Sequence, residues 1–432
     1  MVRNADYRDQ ELQLSAEGKL SSREIEKQHR AVLEGYRDYQ LIDCDQHYYE
    51  PDDCFTRHLE SKYLDVAVEV RRDQADGLGR IYRAGQRFRH LSGPLGERTQ
   101  APGALREYFK SDGAEKASAS ANIRAEDFPE FIDDKAARLK VMDAHDVQAT
   151  LMLPTLGVVV ESECCATRDT SPEAWFALMR SFNRWVEEAW GFGADGRIFG
   201  APLVSLYDPA LAVVELERLI AAGARAVVLR AGPAYGYSPA DEIFDPFWAR
   251  VQEAGVVVAF HTGDFGYQDF FATEWGYGKE HKPFGSASAF ERLTCGSERA
   301  ISDTIAALIF GNLFGRFPEL RFAVIELGSV WLRPLLKNLD HAWSRGTKDR
   351  ARIADRPSDV YKKHFWISPY YEDPFDEVIE MVGADRVLLG SDWPHPEGVP
   401  EPLDMLEEMG LLSSEELRLI ARDNTATLLG LS

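Results

Sequence analysis

Four residues that can hold a metal ion each stand at the end of a short apolar run of this sequence. In chain order they are His47, His261, Glu326 and Asp392. A short apolar run is typical of a buried strand, and parallel barrels present their catalytic groups at the carboxyl ends of the strands. The pattern therefore indicates a metal-dependent enzyme.

Asp45 and His47 share the first of these runs. Because they are two positions apart on a strand, their side chains point to the same face and can bind one ion together. His261 alone could be a core histidine bonded to backbone, and Asp392 alone could cap a turn. Their coincidence at strand ends favours a metal, because a buried carboxylate needs a cation or hydrogen-bond donors. The predicted ligands are Asp45, His47, His261 and Asp392.

Imidazole and carboxylate ligands without thiolates predict one divalent ion, for which zinc is our first choice, while manganese and iron also fit. An open coordination position would hold an acidified water or a substrate carboxylate. Arg230 ends another apolar run and is a candidate to bind a substrate carboxylate, or to pair with a nearby acid. Glu50 is expected either to support the ligands from behind or to cap a turn.

Eight apolar or β-branched runs alternate with segments of helical periodicity, which is typical of βα units and a parallel sheet. A closed α/β barrel is the economical fold. The predicted strands are 40–47, Ala149–Pro154, Ile198–Leu206, Ala226–Arg230, Val256–His261, Phe322–Gly328, Phe365–Pro369 and Val387–Asp392. The predicted helices include Pro172–Trp190, Pro209–Ala222, Phe244–Ala254, Ser302–Phe314, Trp331–Trp343 and Pro374–Val382.

Two connections are too long to be simple loops. Residues 48–132 follow the first predicted strand and residues 262–300 follow the fifth. Because both leave the carboxyl ends of strands, we expect a cap insertion and a loop insertion over the catalytic face. Residues 1–39 are predicted to form a polar helical arm, and residues 40–432 a single domain.

The net charge of -22 argues against nucleic acid and anionic membranes as partners. No apolar stretch approaches the length that spans a membrane. The five cysteines are odd in number and form no C-x-x-C pair, which suits reduced thiols. We therefore expect a cytoplasmic protein that acts on a small molecule, and a homodimer, as is common for such barrels.

The sequence resembles the amidohydrolase-related family, also called the amidohydrolase 2 family, of the metal-dependent hydrolase superfamily. The resemblance covers about residues 40–430, and it is carried by Asp43–Pro51, Val147–Thr155, His261–Gly263 and Gly390–His395. It implies a distorted (β/α)8 TIM barrel with one divalent ion. Members of the family include decarboxylases of aromatic acids and hydrolases of carbon–carbon, ester and amide bonds.

The resemblance also implies roles for single residues. Asp45, His47, His261 and Asp392 match the ligand positions of the family. Glu326 stands where relatives often have a strand-six histidine, so it could be a ligand, a general base, or a structural carboxylate paired with a cation such as Arg333. His395 matches the histidine of the family's S-D-W-P-H stretch, which would touch the substrate, support the ligands or fix the loop. The predicted catalytic residues are Asp392, Glu326 and His395.

Three functions are consistent with these residues. The first is a hydrolase that attacks a small organic or aromatic acid, amide or ester with metal-activated water, while Asp392 or Glu326 moves the proton. The alternative is a metal-dependent non-oxidative decarboxylase of an aromatic or unsaturated carboxylic acid. A third, from another class, is a barrel without catalysis that serves as a binding or scaffold protein and holds no metal.

Overall fold

The computed structural model describes residues 38–88, 99–110, 125–167, 169–263, 265–278, 287–409 and 412–431. The predicted helical arm lies outside these residues except for its last two positions. Parts of both predicted insertions also lie outside them.

The strands and helices alternate along most of the described chain. The strands are β1 (Leu41–Tyr48), β2 (Val68–Arg72), β3 (Gly79–Arg83), β4 (Gln86–Arg87), β5 (Thr99–Gln100), β6 (Ala125–Glu126), β7 (Val147–Pro154), β8 (Ile198–Gly200), β9 (Leu203–Val204), β10 (Ala226–Leu229), β11 (Val257–His261), β12 (Arg321–Ile325) and β13 (Phe365–Ile367). The α-helices are Arg106–Lys110, Lys135–Ala144, Gly157–Thr167, Pro172–Ala189, Pro209–Ala221, Asp245–Ala254, Ala289–Cys295, Ser297–Phe310, Leu313–Arg316, Leu332–Arg345, Thr347–Arg352, Pro357–His364, Phe375–Val382, Asp404–Glu408, Ser414–Arg418 and Asn424–Leu429.

The parallel strands follow one another in space in the order of the chain. One sheet has the order β1-β7-β8, and a second has the order β13-β12-β11-β10-β9. β8 and β9 are the two halves of the predicted third strand, which is interrupted at Ala201 and Pro202. Backbone bonds from Ala201 N to Met152 O and from Val228 N to Pro202 O continue the hydrogen bonding across this interruption.

The predicted eighth strand is wrong as a regular strand, although its segment lies where the barrel needs it. Leu388 N donates to Ile367 O of β13, and Cys44 N of β1 donates to Leu389 O. The segment departs from a ladder because Ser391 N donates to the side chain of Asp43 rather than to a backbone carbonyl. The eight parallel segments nevertheless form a ring, which is consistent with a TIM barrel.

A glycine lets this eighth segment lie close to β1. A Cβ atom on Gly390 would be 2.8 Å from Cβ of Asp45 and 2.3 Å from Oγ of Ser368. Both distances are shorter than non-bonded contacts allow. A larger residue would push the chain that carries Asp392 away from β1.

The helices lie near their predicted positions, with one break. The predicted helix Ser302–Phe314 begins earlier, at Ser297, and ends at Phe310. Asn312 then adopts a φ of 55°, which interrupts the helix before the short helix Leu313–Arg316. No described helix is long and apolar enough to cross a membrane.

The described part of the long segment after β1 contacts the chain that follows the eighth segment. β2, β3 and β4 form a small antiparallel sheet. Farther along, Gly103 N donates to His395 O and Leu105 N donates to Pro396 O. Arg106 forms an ion pair with Glu408. This part of the chain therefore lies next to the loop that carries His395.

Candidate metal centre

The ends of four parallel segments bring their polar side chains together. His47 Nε2 lies 3.2 Å from Asp45 Oδ1 and 3.4 Å from Asp392 Oδ1. His261 Nε2 lies 2.9 Å from Glu326 Oε2 and 3.5 Å from Asp45 Oδ1. All five residues are buried or nearly so. The cluster therefore combines two imidazoles with three carboxylates away from bulk water.

Several atoms of this cluster lack the hydrogen bonds that buried polar atoms normally make. Asp45 Oδ1, His261 Nε2 and both ring nitrogens of His47 have no hydrogen-bond partner among the described residues. Asp45, His47, His261 and Glu326 each offer one ligand atom, and these atoms lie within 4.8 Å of one another. A divalent cation would satisfy them, so the residues fit a metal ion.

The hydrogen bond on the far side of the His261 ring orients its free nitrogen. His261 Nδ1 lies 2.9 Å from the carbonyl oxygen of Thr262, which can only accept. Nδ1 therefore carries the proton, and the lone pair of Nε2 points into the cluster. Ligand histidines are commonly held in this way by a carbonyl on the other nitrogen.

Two of the three carboxylates, Glu326 and Asp392, are too crowded and too buried to be charged without compensation. Burial raises the pKa of Glu326, and burial together with the charge of Glu326 raises the pKa of Asp392. Burial lowers the pKa of His261, but the charges of Glu326 and Asp45 outweigh it and raise that pKa. A bound cation would relieve both effects, since it offsets the carboxylate charge and leaves the imidazoles neutral.

Two of the carboxylates sit on strained backbone. Glu326 has a φ of 52° and Asp392 a φ of 54°, in the left-handed region that residues with a Cβ seldom adopt. Such conformations cost roughly 1–3 kcal/mol each and concentrate at functional sites. The surrounding structure therefore holds these two side chains in place at an energetic cost.

His395 connects Asp392 to the neighbouring β7 end through a chain of hydrogen bonds. Thr155 Oγ1 donates to Tyr48 O at 2.7 Å, so it accepts from His395 Nε2 at 3.0 Å. The other nitrogen, Nδ1, then faces Asp392 Oδ1 at 2.7 Å. This short contact between two acceptors requires one shared proton. The pair can therefore hold a proton at the edge of the cluster.

Comparison with known proteins assigns this arrangement to a family. A family model described as "Amidohydrolase" matches residues 42–431, nearly the whole described chain. The chain belongs to the amidohydrolase 2 family. An amidohydrolase from Mycobacterium avium subsp. paratuberculosis has a similar structure, with 35% identity, 92% of this chain and 99% of that chain covered, and a TM-score of 0.82.

Two decarboxylases are among the similar proteins. Gamma-resorcylate decarboxylase from a Polaromonas species is 22% identical over 347 residues, which are 73% of this chain and 94% of the relative. The structure of 5-carboxyvanillate decarboxylase from Novosphingobium aromaticivorans is 16% identical, covers 91% of this chain and 97% of its own, and has a TM-score of 0.58. That structure holds manganese and 4-hydroxy-3-methoxy-5-nitrobenzoic acid.

Asp43 is a buried carboxylate that sequence analysis did not identify as a candidate residue. Its two oxygens accept from Ser391 N at 3.1 Å, Ser391 Oγ at 2.5 Å and Gln46 Nε2 at 3.0 Å. Burial raises the pKa of Asp43 to about 7. The side chain thus joins β1 to the eighth segment immediately before Asp392. In the sequence it stood out only as the first residue of the motif Asp43–Pro51, two residues before Asp45.

We expect Asp43→Asn to weaken the hydrogen bonds that connect β1 to the eighth segment and so to destabilise the protein. The amide would present N–H donors to Ser391, which also donates, so about 1–3 kcal/mol of unfolding free energy should be lost. Urea denaturation followed by circular dichroism measures the change. Asp52→Asn, the same substitution at an exposed loop position, is the control and should stay within about 0.5 kcal/mol of wild type. Equal stability of both variants would contradict a positioning role for Asp43.

Arg138 supports β1 from behind and was also missed. Its Nη2 donates to the carbonyl oxygen of His47 at 2.7 Å and its Nε to Phe131 O at 3.0 Å. The guanidinium lies 4.7 Å from the ring centroid of Trp393. Burial lowers its pKa to about 9. In the sequence it is one charged residue among several in a helix, so nothing marked it as buried.

The remaining predicted residues lie farther from the cluster. Arg230 lines a pocket together with His261, and its guanidinium donates to Phe265 O at 2.9 Å and Pro233 O at 2.6 Å. Its binding of a substrate carboxylate stays a prediction. Glu50 accepts from Leu156 N and from Gly157 N, both at 2.9 Å. Glu50 therefore caps the start of the helix Gly157–Thr167.

The structural alternative for Glu326 is not observed. Arg333, the cation considered as its partner, is 53% exposed and pairs with Glu377 and Glu380 at 3.4 and 3.3 Å. Glu326 instead lies against His261 inside the cluster. This placement leaves the two active-site roles, ligand or general base, as the choices.

Proposed function

We propose that this protein is a metal-dependent carboxy-lyase that decarboxylates an aromatic acid without oxidation. The observation that carries the proposal is the cluster of unpartnered ligand atoms on Asp45, His47 and His261, with a proton-holding pair beside it. Hydrolysis was our first choice from sequence. The named relatives support the decarboxylase alternative better, because gamma-resorcylate decarboxylase and 5-carboxyvanillate decarboxylase both remove carboxyl groups from aromatic rings.

The metal would be held by Asp45, His47, His261 and Glu326. Two carboxylates in the set favour a hard cation, and a relative of the same fold holds manganese, so we propose manganese ahead of zinc. A bound divalent cation would fix the substrate's carboxylate or an adjacent hydroxyl and offset its negative charge. Sequence analysis also predicted Asp392 as a ligand. Its Oδ1 lies 3.4 Å from His47 Nε2, but it lies closer, at 2.7 Å, to His395 Nδ1, with which it shares a proton. We therefore leave it out of the ligand set.

Asp392 and His395 would supply the proton that the reaction consumes. Loss of carbon dioxide breaks the bond between the ring carbon and the carboxyl carbon, and the ring carbon must gain a proton. The proton shared by Asp392 Oδ1 and His395 Nδ1 lies beside the cluster and would serve this purpose. Solvent would then replace it through His395, whose other nitrogen stays bonded to Thr155.

The long segments after β1 and β11 would shield the site from water. The bonds from Gly103 and Leu105 to the loop after Asp392 support this role for the first of them. We further propose that residues 40–432 form one domain with both insertions over the catalytic face, and that two chains associate. Exclusion of water would favour loss of carbon dioxide over attack by water.

The proposal predicts release of carbon dioxide from aromatic acids. We expect the manganese-loaded protein, but not the metal-free protein, to release carbon dioxide from at least one of a panel of hydroxybenzoic acids that includes 2,6-dihydroxybenzoate and 5-carboxyvanillate. In D2O the product should gain one ring deuterium, and in 18O-labelled water the aromatic product should gain no 18O. Incorporation of 18O into an acid released from an ester or amide panel would instead favour the hydrolase.

A further inference from the structure

The turn that follows β12 contains two residues with left-handed backbone. Glu326 has a φ of 52° and Gly328 a φ of 61°, and Leu327 between them is fully buried. A residue with a Cβ keeps this conformation only where the surrounding structure imposes it. The carboxylate of Glu326 leaves this turn and lies 2.9 Å from His261 Nε2. The contacts that hold the turn therefore decide where this carboxylate lies.

Two side chains bind the three carbonyl oxygens of the turn. The hydroxyl of Tyr370, in the loop after β13, donates to Glu326 O at 3.1 Å. Trp331 Nε1 donates to Leu327 O at 2.8 Å and to Gly328 O at 3.0 Å. The turn is thus held from outside by hydrogen bonds to its backbone.

The ring and the backbone of Tyr370 are also packed against this turn. A Cβ atom on Gly328 would be 2.7 Å from a ring carbon of Tyr370, so the ring approaches as closely as a glycine permits. Tyr370 N donates to Asp373 Oδ2 at 3.0 Å. Burial raises the pKa of Asp373, whereas hydrogen bonds from Tyr370 and Ser329 lower it. Asp373 therefore connects the loop after β13 to the residue that follows the turn.

We propose that Tyr370 is a positioning residue, whose hydroxyl holds the turn in the conformation that presents the Glu326 carboxylate to the metal. The inference rests on the proposed function, since it requires a cation at this cluster. Without the hydroxyl, the turn would relax in part of the molecules and take Glu326 away from His261. Metal affinity would then fall in proportion to the fraction that stays competent to bind.

The dissociation constant of manganese tests this inference. The metal-free full-length protein is titrated with Mn²⁺ in competition with a chelating dye, and its unfolding in urea is followed by circular dichroism. We expect Tyr370→Phe to bind manganese roughly tenfold more weakly than wild type, as the loss of a residue that supports a metal ligand implies. A purely structural role would lower the resistance to urea and leave the dissociation constant unchanged.

Tyr361→Phe is the matched control. The hydroxyl of Tyr361 is buried, as is its ring, and it has no hydrogen-bond partner among the described residues. The substitution removes a tyrosine hydroxyl but no hydrogen bond of the turn, so the dissociation constant should stay within about twofold of wild type.

A double variant tests whether Tyr370 acts through Glu326. Glu326→Gln leaves Asp45, His47 and His261 to bind the ion. In this background Tyr370→Phe should change the dissociation constant by less than about twofold, because the effects of coupled residues do not add. If manganese binds these variants too weakly to titrate, zinc, which such sites bind more tightly, replaces it for every protein.

Trp331→Phe keeps the test decisive if Tyr370→Phe folds poorly. It removes the donor to Leu327 O and Gly328 O and so releases the same turn from its other side. It should also weaken manganese binding, by at least about threefold. An unchanged dissociation constant in folded Tyr370→Phe, or in Trp331→Phe where Tyr370→Phe does not fold, would overturn the inference. So would an equal loss from Tyr370→Phe with and without the Glu326 carboxylate.

Failure of the inference and failure of the proposed function give different results. Manganese binding that depends on Tyr370, without release of carbon dioxide, supports the positioning role and contradicts the decarboxylase. Release of carbon dioxide with an unchanged manganese affinity in Tyr370→Phe supports the decarboxylase and contradicts the positioning role. Wild type that binds neither manganese nor zinc contradicts both.

Discussion

His261→Ala is expected to remove the metal from the protein and with it nearly all turnover. His261 Nε2 lies within 3.5 Å of both Asp45 and Glu326, so it lies between the carboxylate on β1 and the carboxylate that follows β12. Loss of a partner behind a ligand costs roughly 10–100-fold in metal affinity, and loss of the ligand itself should cost more. A metal supplies several kcal/mol to catalysis, so turnover should fall by roughly 1000-fold or more.

Elemental analysis of wild type and variant, after loading with manganese and gel filtration, measures the first effect. We expect about one equivalent per chain in wild type and a small fraction of that in His261→Ala. His341→Ala, an exposed histidine on the helix Leu332–Arg345, controls for the loss of any imidazole and should stay fully loaded. If the wild-type protein binds no metal even after loading, a function as a non-catalytic binding or scaffold protein would be favoured instead.

The gathering of the candidate ligands could be predicted because it follows from chain direction. The carboxyl ends of parallel strands meet at one end of a barrel, so we could expect His47, His261 and Glu326, which stand near the ends of three strands, to gather there once the barrel was recognised. Asp45 was placed by the two-residue period of a strand. These inferences need only the order of elements and no detail of packing.

Features that depend on tertiary contacts could not be predicted in the same way. The segment 387–392 has the apolar pattern of a strand, yet the Asp43 side chain takes the bond from Ser391 that a neighbouring strand would otherwise accept. Arg138 is buried because it packs behind β1, where it donates to the His47 carbonyl and lies against the Trp393 ring. Periodicity reports which face of an element is apolar, and it contains no information on such partners.

The carboxylate of Glu161, whose Oε1 accepts from the hydroxyls of Ser205 and Tyr235, was missed for a related reason. In the sequence it stands in the run Val158–Glu163, which is half apolar and half polar and shows no strand-end position. Its partners Ser205 and Tyr235 come from loops beyond two later strands. Only the fold brings a residue 44 positions away to hydrogen-bonding distance.

Asp392→Asn is expected to separate proton transfer from metal binding. The asparagine has nearly the same shape, but it cannot carry the proton that Asp392 shares with His395 across 2.7 Å. General acid catalysis contributes roughly 100–10,000-fold, so turnover should fall within that range. Asp45, His47, His261 and Glu326 remain as ligand atoms within 4.8 Å of one another, so most of the manganese should stay bound.

Measuring metal content and carbon dioxide release on the same sample decides between the two roles of Asp392. Turnover that falls while metal content holds would support its role as proton donor, and His395→Gln should then show a similar loss, since it removes the other half of the pair. If Asp392→Asn loses its manganese as completely as His261→Ala, the carboxylate is a metal ligand first, and the proton must come from another group. Glu326 would then be the next acid to replace, because it is a buried carboxylate of the same cluster and could be the general base rather than a ligand. Asp376→Asn, on an exposed helix position, should change neither quantity.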